Sequence, residues 1–204
     1  MTAVLALVLF AIMFLVLFVA RSVIQKRRTG DAGIRATVLD ASFGSLEWFA
    51  GWMLIAAILT AVAAPVAELA GLAPWTGSGW VRGAGAAITI VGIGLAFLAQ
   101  LSMGDSWRIG VDVDEQTDLV TTGAFAIVRN PIFSSVIVVG IGLATMVPNP
   151  ISAVGVLLPI GAIEMQIRGV EEPHLRELHG QRYAEYEGRV GRLLPTASRT
   201  ADGR

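Results

Sequence analysis

The chain reads as an all-α, polytopic membrane helix bundle with five transmembrane helices and a cytosolic C-terminal amphipathic helix. Three observations predict this. Hydrophobic residues fill 54% of the 204 positions and the mean hydropathy is +0.68, more apolar surface than a soluble domain of this size can bury. Charged residues are 15% of the chain and fall in clusters, which leaves uncharged runs of the length a bilayer demands. The basic residues are also one-sided: with five spans and an outside N-terminus, Arg82 alone of the 15 Lys and Arg lies outside and the other 14 are cytosolic. The net charge of -1 points to no nucleic-acid partner. With no cysteine, disulfides, thiolate metal sites and a cysteine nucleophile are excluded, and with only two histidines no structural metal is expected.

The first span, 3–20, has no positive charge before it, whereas Arg21, Lys26, Arg27 and Arg28 follow it. A cleaved signal peptide has the opposite flank, so this segment is read as a retained helix with its N-terminus outside. The basic stretch 21–35 then marks the cytosolic side. A second span covers 46–72, between Glu47 inside and Glu68 outside. Pro74, Gly77 and Gly79 make a turn, and Trp75 and Trp80 stand where indole rings anchor at an interface. The third span, 82–103, carries Gly83, Gly85, Gly92 and Gly94, small residues that let a neighbouring backbone come close and place this helix inside the bundle. Its Gly92-Ile93-Gly94 is no dinucleotide fingerprint, because no strand precedes it and it lies at membrane depth.

Residues 104–130 form a polar segment kept in water by Asp105, Asp112, Asp114, Glu115 and Asp118, with Trp107 read as an interfacial anchor. Asn130 as N-cap and Pro131 as first helical residue open a fourth span, 131–147. A turn at 147–150 sends the chain back through a fifth span, 151–168. In the polar helix that follows, Leu175, Leu178, Tyr183, Tyr186 and Val190 make one apolar stripe suited to lying on the bundle or the headgroups, with His174 and His179 on its surface. The chain thus divides into a three-helix membrane region at 1–99, a core with a cytosolic site at 100–195, and a tail at 196–204.

Leu119-Val120-Thr121-Thr122-Gly123-Ala124-Phe125, Arg129-Asn130-Pro131-Ile132-Phe133, Asn149-Pro150, Glu171-Glu172, Gly180-Gln181-Arg182-Tyr183-Ala184-Glu185-Tyr186 and a stretch from Val190 to Pro195 occur in that order. The series resembles the isoprenylcysteine carboxyl methyltransferase family over about 100–195, half the chain. In that family's pattern a histidine stands where this chain has Thr117, another where it has Asn130, and tyrosines where it has Phe125 and Phe133. Arg168 is three residues ahead of Glu171, where four are expected. The resemblance implies S-adenosylmethionine bound at the cytosolic face and methyl transfer to a lipophilic small-molecule or lipidated acceptor arriving from the bilayer.

Under that resemblance, cofactor binding falls to Thr117, Leu119, Val120, Gly123, Phe125, Arg129, Asn130, Pro131, Phe133, Glu171 and Glu172, and catalysis to Arg168 and Glu171. S-adenosylmethionine presents an ammonium, a carboxylate, a sulfonium and a flat adenine. Glu171 or Glu172 suits the ammonium, and the helix N-terminus after Asn130 suits the carboxylate through its unpaired N–H groups and dipole. Leu119, Val120, Phe125 and Phe133 suit the adenine and the sulfonium. Plainer roles stay open: Asn130-Pro131 as a simple helix cap, and Glu171-Glu172 as a solvated interfacial pair. Glu164 and Arg168 are spaced for a helical ion pair, while a carboxylate acceptor needs a cation such as Arg168. A carboxylate is already ionised at neutral pH, so its methylation calls for alignment and exclusion of water rather than a base. Two other readings remain: a membrane reductase of the steroid-reductase kind using NADPH, which the paired acids disfavour, and a membrane scaffold, which leaves the ordered motifs unexplained. The chain is placed as an integral protein of the plasma membrane with its site and C-terminus cytosolic.

Overall fold

The computed structural model describes residues 1–34, 41–108 and 118–196. Among these every regular element is helical, and an isolated parallel bridge joins Val128 to Gly191. Four helices are long and apolar enough to cross a membrane: α1, Thr2–Thr29; α2, Leu46–Leu69; α3, Gly79–Ser102; and α5, Pro150–His179. Between the last two lies α4, Pro131–Met146, apolar but shorter. A last helix, α6, Gln181–Arg189, follows Gly180.

Two helix pairs carry the bundle, α3 with α4 and α2 with α5. Glycine makes the first pairing possible. A Cβ on Gly85 would stand 2.7 Å from the Met146 nitrogen, and one on Gly142 would stand 2.6 Å from the Thr89 nitrogen, so the two backbones touch where neither carries a side chain. Thr89 is fully buried in this seam and donates its hydroxyl to the Gly85 carbonyl at 2.9 Å. Gly83 and Gly94, counted with Gly85 and Gly92 in the sequence, have open space where a Cβ would go. The helix therefore has one packed glycine face and one that faces outward.

Polar groups tie both ends of the bundle. At the end away from the site, Asn149 forms a capping box with Ser152 at the start of α5 and donates its amide to the Ala64 carbonyl of α2 at 3.0 Å. Arg82 pairs there with Glu68 and donates Nε to the Met146 carbonyl at 2.8 Å. Trp75 and Trp80 are exposed beside this end, as interface anchors should be.

At the other end the sequence-based boundaries need correction. The first helix does not stop at residue 20; it runs through a π-helical turn, Leu15–Ala20, and on to Thr29. Arg21, read above as part of a solvated basic stretch, is fully buried, and Trp107 is not an exposed anchor but 2% exposed beneath it. The guanidinium lies 4.6 Å from the centre of the indole and donates to Gln25 at 2.9 Å and to the Gly104 carbonyl at 2.7 Å. Gln25 and Gln100 complete the knot, donating to the Asp105 and Leu17 carbonyls at 2.6 and 3.0 Å. A buried cation demands such partners, and only a folded chain reveals that residues so distant in sequence supply them.

The single polar helix expected after residue 168 is likewise two pieces. α5 continues unbroken through a π-helical turn, Ile167–Glu171, to His179, and the chain then bends at Gly180, where φ is +51°. A Gly142→Val substitution should push α3 and α4 apart and cost about 1–3 kcal/mol of stability. Gly94→Val, facing open space, should leave the thermal unfolding midpoint in detergent unchanged.

Candidate functional site

Where the bundle ends beside the Arg21 knot, a cleft of about 170 Å³ opens to one side. Its walls come from the segment before α4, from the last turns of α5 and from α6. The local fold of the first wall is set by turns: Gly123, at φ +61°, starts a short 3-10 turn, Gly123–Ala126, and lies against Ser102 of α3. Tyr186 of α6 holds that turn by donating its hydroxyl to the Phe125 carbonyl at 2.7 Å. Burial pushes the phenols of Tyr183 and Tyr186 up to about 12, so both stay protonated donors.

The centre of the wall is Glu172, 2% exposed and held by three guanidiniums. Arg129 reaches it at 2.9 Å and Arg176 at 3.3 Å; Arg192 takes it in a fork, Nε to Oε1 at 2.7 Å and Nη2 to Oε2 at 2.8 Å. Glu187 of α6 adds a second acid, 2.7 Å from Arg176 and 2.9 Å from Arg129. Nη1 of Arg129 makes that ion pair with Glu187, while its Nε stays buried without an acceptor. Hydrogen bonding from Arg176, with the charge of Arg129 beside it, holds the Glu187 carboxyl below its ordinary 4.5.

Of the residues singled out in the sequence, Leu119, Val120, Phe125, Arg129, Asn130, Glu171 and Glu172 line this cleft. Both oxygens of Glu172 are taken by arginines. Glu171 is half-buried at the cleft with no hydrogen-bond partner among the described residues. Gly123, Pro131 and Phe133 do not line the cleft. Arg168 is turned away: 63% exposed, it pairs with Glu164 one turn earlier on α5. A π-helical turn carries an extra residue, which shifts the faces before and after it out of their α-helical phase. Counting along a regular helix toward Glu172 therefore misplaces Arg168. Thr117 lies outside the described residues.

Asn130 also departs from expectation. It stands at the N-cap of α4, but its side chain caps nothing. Instead the C-terminal segment runs alongside: Arg129 and Asn130 donate their backbone N–H groups to the carbonyls of Gly191 and Arg192 at 2.7 and 3.0 Å, and Ser134 donates its hydroxyl to that of Leu193 at 2.7 Å. Three carbonyl oxygens of the C-terminal segment thus lie along the start of α4. Residues the sequence reading missed are Arg108, His174, Glu187 and Arg192. His174, expected on the helix surface, lines the cleft with Nε2 buried and without a partner. Its position three residues after Glu171 on one helix is the only signal that could have found it.

The depressed Glu187 carboxyl makes stability depend on pH with a definite sign. Its contribution is present above the unfolded value of 4.5 and is lost as pH falls through the lower folded value. Thermal unfolding should therefore show Glu187→Gln less stable than the parent near neutrality, with the gap closing in acid.

Residues 80–182 match the family model described as phospholipid methyltransferase. A protein-S-isoprenylcysteine O-methyltransferase B from Arabidopsis thaliana is 30% identical over 57% of this chain and 60% of its own length. A probable protein-S-isoprenylcysteine O-methyltransferase from Oryza sativa subsp. indica is 29% identical over 54% of this chain and 59% of its own. The chain thus spans about three fifths of the length of these curated relatives. Among solved structures, a eukaryotic intramembrane Ras methyltransferase, an isoprenylcysteine carboxyl methyltransferase, superposes with a TM-score of 0.57 at 21% identity, covering 85% of this chain and 59% of that one. That likeness is one of fold.

Proposed function

We propose, for a chain that belongs to the phospholipid methyltransferase family, an integral membrane enzyme that transfers a methyl group from S-adenosylmethionine to a lipophilic acceptor, a carboxylate of the isoprenylcysteine type. The observation that carries this reading is a cleft that sets an acid, Glu171, beside a buried arginine, Arg129, whose Nε has no acceptor. These fit the two charges at the amino-acid end of the cofactor. Glu171 takes the ammonium, and Arg129 takes the carboxylate in place of the helix start. Leu119, Val120 and Phe125 supply apolar wall for the adenine and sulfonium. Bound there, S-adenosylmethionine supplies an electrophilic methyl group. The cleft encloses only part of such a ligand, so the remainder reaches out through its open side.

Both tyrosines are held protonated, so neither serves as a base; Glu171 and His174 also line the cleft, and a carboxylate acceptor needs no base from either. What it needs is charge neutralisation and exclusion of water. Arg108 lines the cleft, where Arg168 does not, and takes the role first given to Arg168 of offsetting an acceptor's charge. The curated relatives' names support an isoprenylcysteine acceptor.

In the membrane, α4 is the fifth crossing: its 16 residues reach about 24 Å, close to a ~30 Å core. Five crossings set the N-terminus outside and the cleft and C-terminus in the cytosol of a plasma-membrane protein. Residues 1–99 then serve as the membrane anchor and 100–195 as the catalytic core, with 196–204 a tail.

Titration of the detergent-solubilised protein with S-adenosylhomocysteine should show saturable binding, and NADPH none. Binding of NADPH alone would overturn the methyltransferase in favour of a reductase. Glu171→Gln should weaken S-adenosylhomocysteine by about tenfold, some 1.4 kcal/mol. An unchanged affinity would remove Glu171 from the site.

A further inference from the structure

Resting on the methyltransferase reading, we propose that residues 190–194 form a strap that sets the shape of the cofactor cleft, with Arg192 as a positioning residue acting through Glu172. The family-model match ends at residue 182, before this segment begins.

Three consecutive strap carbonyls are spent on the cleft wall. Those of Gly191 and Arg192 accept from the backbone of Arg129 and Asn130, both of which line the cleft. That of Leu193 accepts from Ser134 in the first turn of α4. The strap is itself folded tightly: a Cβ on Gly191 would collide with the Leu194 carbonyl, and Thr196 closes back on the Arg189 carbonyl at 2.9 Å. It is a shaped piece of chain laid against the wall.

The Arg192 side chain extends the same grip to α5. Its fork engages both oxygens of Glu172, which fixes the rotation of that carboxylate in a way a single contact cannot. Glu171 is the next residue back and faces the cleft. Holding Glu172 therefore holds the last π-helical residue, Glu171, at its place.

Charge points the same way. Arg129 alone would neutralise Glu172. Three arginines, Arg129, Arg176 and Arg192, share two acids, Glu172 and Glu187. With Arg192 forked onto both oxygens of Glu172, Arg129 adds one bond to Glu172 through Nη2 and one ion pair to Glu187 through Nη1, and its buried Nε is left without an acceptor. That N–H suits an anionic group such as a carboxylate. Arg192 thus prepares both ends of the site, the acid at Glu171 and the N–H at Arg129, without touching the ligand.

The test is a calorimetric titration of S-adenosylhomocysteine into the full chain in detergent, with thermal unfolding alongside. Arg192→Met keeps bulk and loses the fork; it should bind at least tenfold more weakly. Arg192→Lys keeps the charge and should recover part of that loss, and Ser134→Ala, which frees one strap carbonyl, should bind two- to threefold more weakly at an unchanged unfolding midpoint. If Arg192→Met does not fold, Arg192→Lys and Ser134→Ala carry the test on those same criteria. Parental affinity in the folded variants would overturn the strap while leaving the methyltransferase reading intact. Failure of the parent protein itself to bind S-adenosylhomocysteine would overturn both.

Discussion

The constraint on which the rest of the site depends is the burial of the Glu172 carboxylate. An ionised acid 2% exposed is tolerated only where cations and hydrogen bonds replace the water it has lost. Here the replacement comes from Arg129 before α4, Arg176 on its own helix and Arg192 beyond α6. One carboxylate therefore draws together three stretches of chain that no continuous element connects. Because each guanidinium has a fixed fork of donors, the geometry it enforces is narrow. The cleft lies on the face of this cluster, where Glu171, the residue before Glu172, and Arg129, the arginine after Val128, stand side by side in its lining.

The same demand for satisfied polar groups organises both ends of the bundle. Arg21, fully buried, lies over Trp107 and donates to the backbone of the chain leaving α3, so α1 and α3 are locked where the cleft begins. At the opposite end, Asn149 and Arg82 do the equivalent for α2, α4 and α5. Between them the helices meet through glycine and threonine, because apolar side chains gain nothing by leaving lipid for one another and close backbone contact must supply the attraction. Gly85 and Gly142 let α3 and α4 approach to that distance.

Much of the fold could be read from the residues. The long apolar runs and the prolines and glycines between them placed the helices, because in a bilayer length and hydropathy leave few alternatives. The motif residues Leu119, Val120, Phe125, Arg129, Asn130 and Glu171 do meet in one cleft. Where the reading failed, the cause is local and physical. Arg168 was assigned from the resemblance and from an acceptor's need for a cation, but it pairs with Glu164 outside the cleft, on the far side of a π-helical turn from Glu172. Glu172 was paired with Glu171 as an equal, although one faces three arginines and the other the cleft. Asn130 was given a cap that its side chain does not make, since a distant strap takes its backbone N–H.

By itself the sequence determined what the bilayer and covalent spacing dictate: an apolar helical chain, the turns that break it, and the supply of an acid, an arginine and apolar walls at the ordered motifs. It could not decide which acid stays open to a ligand. That depends on which carboxylate the arginines from 129, 176 and 192 reach first, a three-dimensional competition between neighbours one residue apart. Only the tertiary structure settles it, because a buried charge takes its partners from whatever folding brings within about 3 Å, however far away they lie along the chain.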